Sequence, residues 1–395
     1  LPAKRDTMRP FSLRLGGVLL PLGIACSTVG AAEAYADPAP PRVAPRAPGP
    51  APEAGKNPEV TTHAAPKPLS SQAVTSDWPS FLGPTHNMVS PETAIVKEFP
   101  ADGLRPLWEM KKGDGFAAPA ILGDRLVLFH RVGDEEVVDC IHPVDGRRYW
   151  QFRYATTYRD RYGYNHGPRA SPVIGNGQVF TYGAEGRLHC LDLQTGQVRW
   201  QRDLPTEFHL RQNFFGVGAT PLLEGDMLIL NIGATGGPGV VAFDRTTGKM
   251  LWGADDRWGP SYASPIPATV HGQRRVFVFA GGESKPATGG LLCLDPTDGR
   301  LDFRFPWRGT RYESVNAASP VVLGNRVFIS ECYGSGGALV EGQANGSARQ
   351  VWANPTFGMH FMTAIPLGDH LYGVHGHGPQ DAELVCVEIA TGREV

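Results

Sequence analysis

The chain repeats itself. Residues 188–200 read LHCLDLQTGQVRW, residues 240–252 VVAFDRTTGKMLW and residues 291–303 LLCLDPTDGRLDF. Residues 138–150 (VDCIHPVDGRRYW) and 384–395 (LVCVEIATGREV) are further copies. The turn glycines are Gly146, Gly196, Gly248 and Gly299, each about 50 residues after the last; Gly392 follows at about two periods, with a degenerate copy ending at Trp352 in between. Each copy is an apolar strand, a tight Asp-x-x-Thr-Gly turn and a return strand that ends on an aromatic. The carboxylate caps the turn, and glycine takes the positive φ that other residues resist. The aromatics are Trp150, Trp200, Trp252, Phe303 and Trp352. One hairpin cannot bury such a ring, whereas neighbouring units stacked radially can.

A second element recurs at the same period. FAAPAILGDRLVLF from Phe116 returns as RASPVIGNGQVFTY from Arg169 and GATPLLEGDMLIL from Gly218. It appears again from Tyr262, Ala317 and Met362. Its prolines are Pro119, Pro172, Pro221, Pro265, Pro320 and Pro366. Ser171, Ser264 and Ser319, each before a proline, read as architectural. A short strand, a Gly-Asp or Gly-Asn turn and a longer strand, added to the first hairpin, make four strands per roughly 50 residues. The expected fold class is an all-β propeller of four-stranded blades, with six blades visible. Because the sequence stops inside a repeat, a ring of seven or eight blades is expected. Leu107-Trp108-Glu109 looks like an outer strand that completes the last blade, with Trp108 as its docking ring.

The front of the chain differs. Met8-Arg9-Pro10 is read as the natural start, Leu15 to Val29 is apolar, and Ala34-Tyr35-Ala36 is a small-x-small cleavage site. Residues 1–36 are therefore expected to be an export signal, which places the protein in the periplasm or outside the cell. An acylated Cys26 is the lesser alternative, because Leu22 stands one position early for a lipobox. Residues 37–76 are rich in Pro and Ala and are expected to be a disordered linker. The propeller is expected over 77–395, opening with Trp78-Pro79-Ser80-Phe81-Leu82-Gly83-Pro84 draped on its edge or base. The formal net charge of −2, with 19% charged residues and no basic block, argues against a nucleic-acid partner. The mature chain is expected to have no membrane span.

The repeats and the WPSFLGPTHNMVSPET opening resemble the PQQ-like β-propeller repeat family, which includes quinoprotein alcohol dehydrogenases and the BamB-type scaffold lipoproteins. The resemblance covers roughly 78–395 and implies the fold; it does not by itself imply an activity. For the dehydrogenases it implies a quinone stacked between a Trp and a vicinal disulfide, with Ca²⁺ held by Glu and Asn near a catalytic Asp. This chain has no adjacent cysteines and no Cys-x-x-Cys-His for haem. No cofactor is therefore assigned, and PQQ with Ca²⁺ is kept as the alternative.

Cys140, Cys190, Cys293 and Cys386 share one repeat position and are expected to be buried free thiols. The segments before each proline-bearing strand should ring one mouth of the central channel. They mix aromatics with Arg, Asn and His, which suits a polar ligand or a peptide. Arg169, Asn213, Tyr262, Asn316 and His360 are the expected ligand-binding residues. His375-Gly376-His377-Gly378 and Asp255-Asp256 are read as solvated turns rather than metal sites. No P-loop, nucleophile elbow or HExxH helix is present. The expectation is an exported, non-enzymatic scaffold that binds a protein or a small ligand at the channel mouth. The alternatives are a PQQ- and Ca²⁺-dependent alcohol or sugar dehydrogenase and a glycan- or surface-binding module.

Overall fold

The structure is a computed structural model. It describes residue 37 and residues 55–93, 95–234, 236–255, 257–282, 285–312 and 314–395. The expected export signal, Cys26 and residues 38–54 of the expected linker lie outside the described residues. Five four-stranded antiparallel meanders follow one another, over 120–155, 173–203, 222–255, 266–306 and 321–354. A sixth sheet, over 365–388, has three strands. These are the six expected blades. The one helix among the described residues is a single turn, Leu204–Phe208, capped by Asp203. No described helix is long and apolar enough to cross a membrane.

The first strands of blades one to four touch one another, so they are the innermost. A file of hydroxyls links them. The amide of Ala118 donates to Ser171 Oγ, Ser171 to Thr220 Oγ1, Thr220 to Ser264 Oγ, Ser264 to Ser319 Oγ and Ser319 to Thr363 Oγ1, all at 3.0–3.2 Å. The repeat position is thus defined by the hydroxyl and not by the proline. In blade six Thr363 holds the place of Ser319, and Pro366 lies two positions beyond the equivalent of Pro320, which corrects its alignment with the other prolines.

The outer strands carry the docking rings. Trp150 donates its indole N–H to the Leu193 carbonyl of the next blade at 2.9 Å. Trp200 donates to Arg245, Trp252 to Pro296 and Trp352 to Ile389 in the same way. Each ring covers the turn glycine of the following blade. A Cβ added to Gly196 would lie 2.6 Å from Trp150 Cδ2, and one on Gly248 2.7 Å from Trp200 Cδ2. These glycines have φ of 71°, as the turn requires. In the turn itself Asp192 Oδ1 accepts the amides of Gln194 and Thr195. A bulge just before each aromatic sets Trp150 opposite Cys140, Trp200 opposite Cys190 and Phe303 opposite Cys293. The recurring cysteine is therefore the small residue that lies beside the docking ring. These thiols are free and buried, and burial pushes each up to about 12; Cys386 is half-buried. The five apolar cores are each drawn from two successive blades, so every blade depends on its neighbours.

Three expectations about the front of the folded part are corrected. Regular structure starts upstream of Asp77: strand Val60–Thr62 pairs with Trp108–Met110, and Arg148 pairs with Glu59 at 2.6 Å. The Trp108 strand therefore joins this two-strand sheet and does not complete blade six. Its ring still docks, donating to Pro143 O at 3.1 Å beside Gly146. The WPSFLGP segment does not drape on an edge. Trp78 exchanges two 2.9 Å backbone bonds with Ile121 on the inner strand of blade one. Ile174, on the inner strand of blade two, donates to Pro79 O at 2.8 Å. Ser80 and Leu82 are buried. The segment sits inside, against the inner strands.

Candidate functional site

A cavity of about 890 Å³ opens where the chain enters the inner strands. The blade-connecting loops supply Phe116, Tyr162, Tyr164, Phe214, Phe215, Tyr262, Tyr312, His360 and Phe361. The loops between the second and third strands of blades five and six add Tyr333 and His377. Phe81, from the inserted N-terminal segment, faces this cavity and also a smaller one of about 160 Å³ among the inner strands of blades two to four. The result is a cup of aromatic rings. Several of them are more than half exposed: Tyr164 72%, Phe361 65% and Phe116 63%. Rings of this size left open to water mark a binding surface more often than an accident of packing.

Each wall is held by polar contacts behind it. Asp160 is buried, and its Oδ1 accepts the Tyr162 amide at 2.8 Å. Arg131, also buried, donates to the carbonyls of Tyr158 and His166 at 2.6 and 3.0 Å, pinning both ends of the loop that carries the two tyrosines. The Phe215 amide donates to Tyr262 Oη at 3.0 Å. Phe214 meets Tyr312 edge to face at 5.1 Å. His360 stacks on Phe361 at 3.7 Å, with Nδ1 3.1 Å from the His377 carbonyl. Burial lowers the His360 pKa to about 4, so the ring is neutral at neutral pH.

Of the five expected binding residues, Arg169, Tyr262 and His360 line the cup. Arg169 is nevertheless engaged from behind. It pairs with the Asp160 carboxylate, donates to the carbonyls of Asn165 and Gly167, and lies over the Phe116 ring at 5.6 Å. It is the one charged group among the described lining residues, and its charge is matched internally. Asn213 lines a separate cavity of about 300 Å³ and accepts the Phe214 amide. Asn316 is buried and donates to Ala280 O at 2.7 Å, so it braces a loop. Phe81, Tyr333 and His377 were missed. His377 belongs to the His-Gly-His turn that reads as solvent loop, while His375 bonds instead to Gly358. Asp256 lies outside the described residues. Among the described residues no three His, Cys, Asp or Glu groups are placed to hold a metal.

A calcium-bound quinone asks for oxygen ligands around the ion, carboxylates foremost. Among the described residues, no Asp or Glu lines the cup. The described lining residues do not fit that group.

The sequence profile described as outer membrane protein assembly factor BamB, a set of PQQ-like repeats, matches residues 134–395. The chain belongs to this PQQ-like propeller family. Within it, curated relatives include the quinoprotein alcohol dehydrogenase PedH of Pseudomonas putida, 27% identical over 47% of this chain. The quinone alcohol dehydrogenase subunit of Acetobacter aceti is 24% identical over 54%. In both cases the chain spans 28% of the relative's length. Among solved structures, a europium-containing methanol dehydrogenase aligns at TM-score 0.51 and 12% identity, over 72% of this chain and 70% of its own, a likeness of fold alone. BamB of Moraxella catarrhalis aligns at TM-score 0.44 and 18% identity, over 67% of this chain and 68% of its own.

Proposed function

We infer that this PQQ-like propeller is an exported, non-enzymatic binding protein that takes a segment of a protein partner, or a small ligand, into the aromatic cup. The observation that carries the reading is the make-up of the cup. Its one cation is neutralised by Asp160, its His360 is neutral, and no carboxylate lines it among the described residues. Such a wall offers ring faces and shape, and among the described residues it has no carboxylate and no metal ligand set. The dehydrogenase alternative draws on the curated relatives, but each matches over a small part of its length, and the cup does not supply the ligands that alternative needs.

The test uses the full chain and a neutral apolar dye, N-phenyl-naphthylamine, whose fluorescence rises on leaving water. Saturable binding is expected. It should weaken about tenfold in Tyr312→Ala and Phe361→Ala, with an unchanged urea midpoint, because both rings are exposed. A parallel titration with PQQ and Ca²⁺ decides the alternative. Calcium-dependent quinone binding accompanied by alcohol oxidation would overturn the non-enzymatic reading, and dye binding indifferent to both substitutions would move the site elsewhere.

A further inference from the structure

We propose that the cup is a receptor for a peptide segment that carries an aromatic or large apolar side chain next to an acidic one, the ring entering the cup and the carboxylate staying at its rim. This rests on the binding-protein reading above and names the chemistry of the partner. The grounds are in the rim. Arg161 is exposed, and its guanidinium lies over the Tyr162 and Phe214 rings at 5.9 and 5.6 Å. Arg311 is exposed and adjoins Tyr312, whose ring meets Phe214 edge to face. Arg211 is exposed too, but with Asn213 it lines the separate cavity of about 300 Å³.

The other arginines of this region are engaged. Arg169 serves Asp160, and Arg159 pairs with Asp134 at 2.9 Å. Arg161, Arg211 and Arg311 have no carboxylate partner among the described residues. On the far side, the Asp381 carboxylate accepts the His377 and Gly378 amides at 3.1 and 2.7 Å, which partly answers its charge. Among the described residues the mouth thus carries unpaired arginines on the loops before blades two and five, although the whole chain carries a formal charge of −2.

A guanidinium held beside ring faces can leave N–H groups free, and those can take a carboxylate in two parallel bonds. Tyrosine, phenylalanine and arginine together are also the side chains that concentrate binding energy at protein interfaces. A basic apolar segment would meet like charge at this wall. A purely acidic segment would leave the rings uncovered.

The experiment is fluorescence anisotropy of the full chain with matched labelled peptides: Gly-Asp-Phe-Asp-Phe-Asp-Gly, its Lys-for-Asp counterpart and its Ala-for-Phe counterpart. The Asp/Phe peptide is expected to bind at least about tenfold tighter than either control. Its affinity should fall several-fold from about 0.1 M to about 0.5 M salt. The double variant Arg161→Gln, Arg311→Gln should erase the preference for Asp over Lys while leaving the neutral dye bound and the urea midpoint unchanged. Equal binding of the Asp and Lys peptides, or a preference that survives the double variant, overturns the inference while the cup keeps its role. Binding of cellohexaose with no peptide bound also overturns it, in favour of a glycan. If neither peptide nor dye binds, the binding-protein reading falls with it.

Discussion

Replacing Trp150 tests the docking arrangement on which the blades depend. The indole is 6% exposed, covers Gly196 and donates to the Leu193 carbonyl, which accepts no other side-chain bond among the described residues. Trp150→Ala removes ring and bond together and should cost roughly 3–5 kcal/mol. Trp150→Phe keeps a ring over the glycine but leaves the carbonyl without its donor. That loss should cost about 1–3 kcal/mol. Urea unfolding followed by circular dichroism gives both numbers, and hydrogen exchange locates them: protection should fall at the 192–196 turn and little in blade five, which shares no core with blade one. Equal losses from the two substitutions would show that the hydrogen bond matters and the ring does not. Two near-neutral substitutions would refute the docking role outright.

Two further predictions concern the interior. Ser264→Ala leaves the buried Thr220 amide without its acceptor, so stability should fall by about 1–3 kcal/mol and exchange of that amide should accelerate; unchanged protection of Thr220 would break the hydroxyl file. His189 is buried against Tyr154 and Phe152, and burial lowers its pKa from 6.5 to about 3. The unfolded chain therefore takes up this proton first. The stability tied to His189 is present above about 6.5 and is lost as pH falls toward about 3, by at most about 1.4 kcal/mol per unit. The stability difference between wild type and His189→Phe should rise with pH across that window, and a pH-independent difference would count against a neutral buried imidazole.

The blades were legible because their signals are local. An Asp-x-x-Thr-Gly turn closes on its own backbone, and the spacing of its copies carries the architecture. That the ring of Trp150 is buried by a neighbouring unit is likewise implied, since one hairpin cannot cover it; that the cover is the Gly196 turn is not. What could not be read is long-range. Nothing near Trp78 says that its backbone pairs with Ile121, and nothing near Trp108 says that its strand partner is Val60–Thr62. Pro366 misled because the proline is frequent at a position whose requirement is the hydroxyl two places earlier than expected, on Thr363. Of the expected residues, Arg169, Tyr262 and His360 do line the cup, while Asn213 and Asn316 do not. Asn213 and Asn316 lie within reach of backbone groups and are used there. Tyr333 and His377 enter from loops on the second and third strands, where the repeat pattern gives no hint of a site.

The N-terminal segment ties the cup to the inner strands. Trp78 bonds to blade one, Pro79 accepts from blade two, and Phe81, two residues on, lines the cup. A ligand that touches Phe81 is therefore linked to the pairing of that segment. A substitution that loosens the pairing, such as Trp78→Ala, should weaken binding although Trp78 is not among the described lining residues.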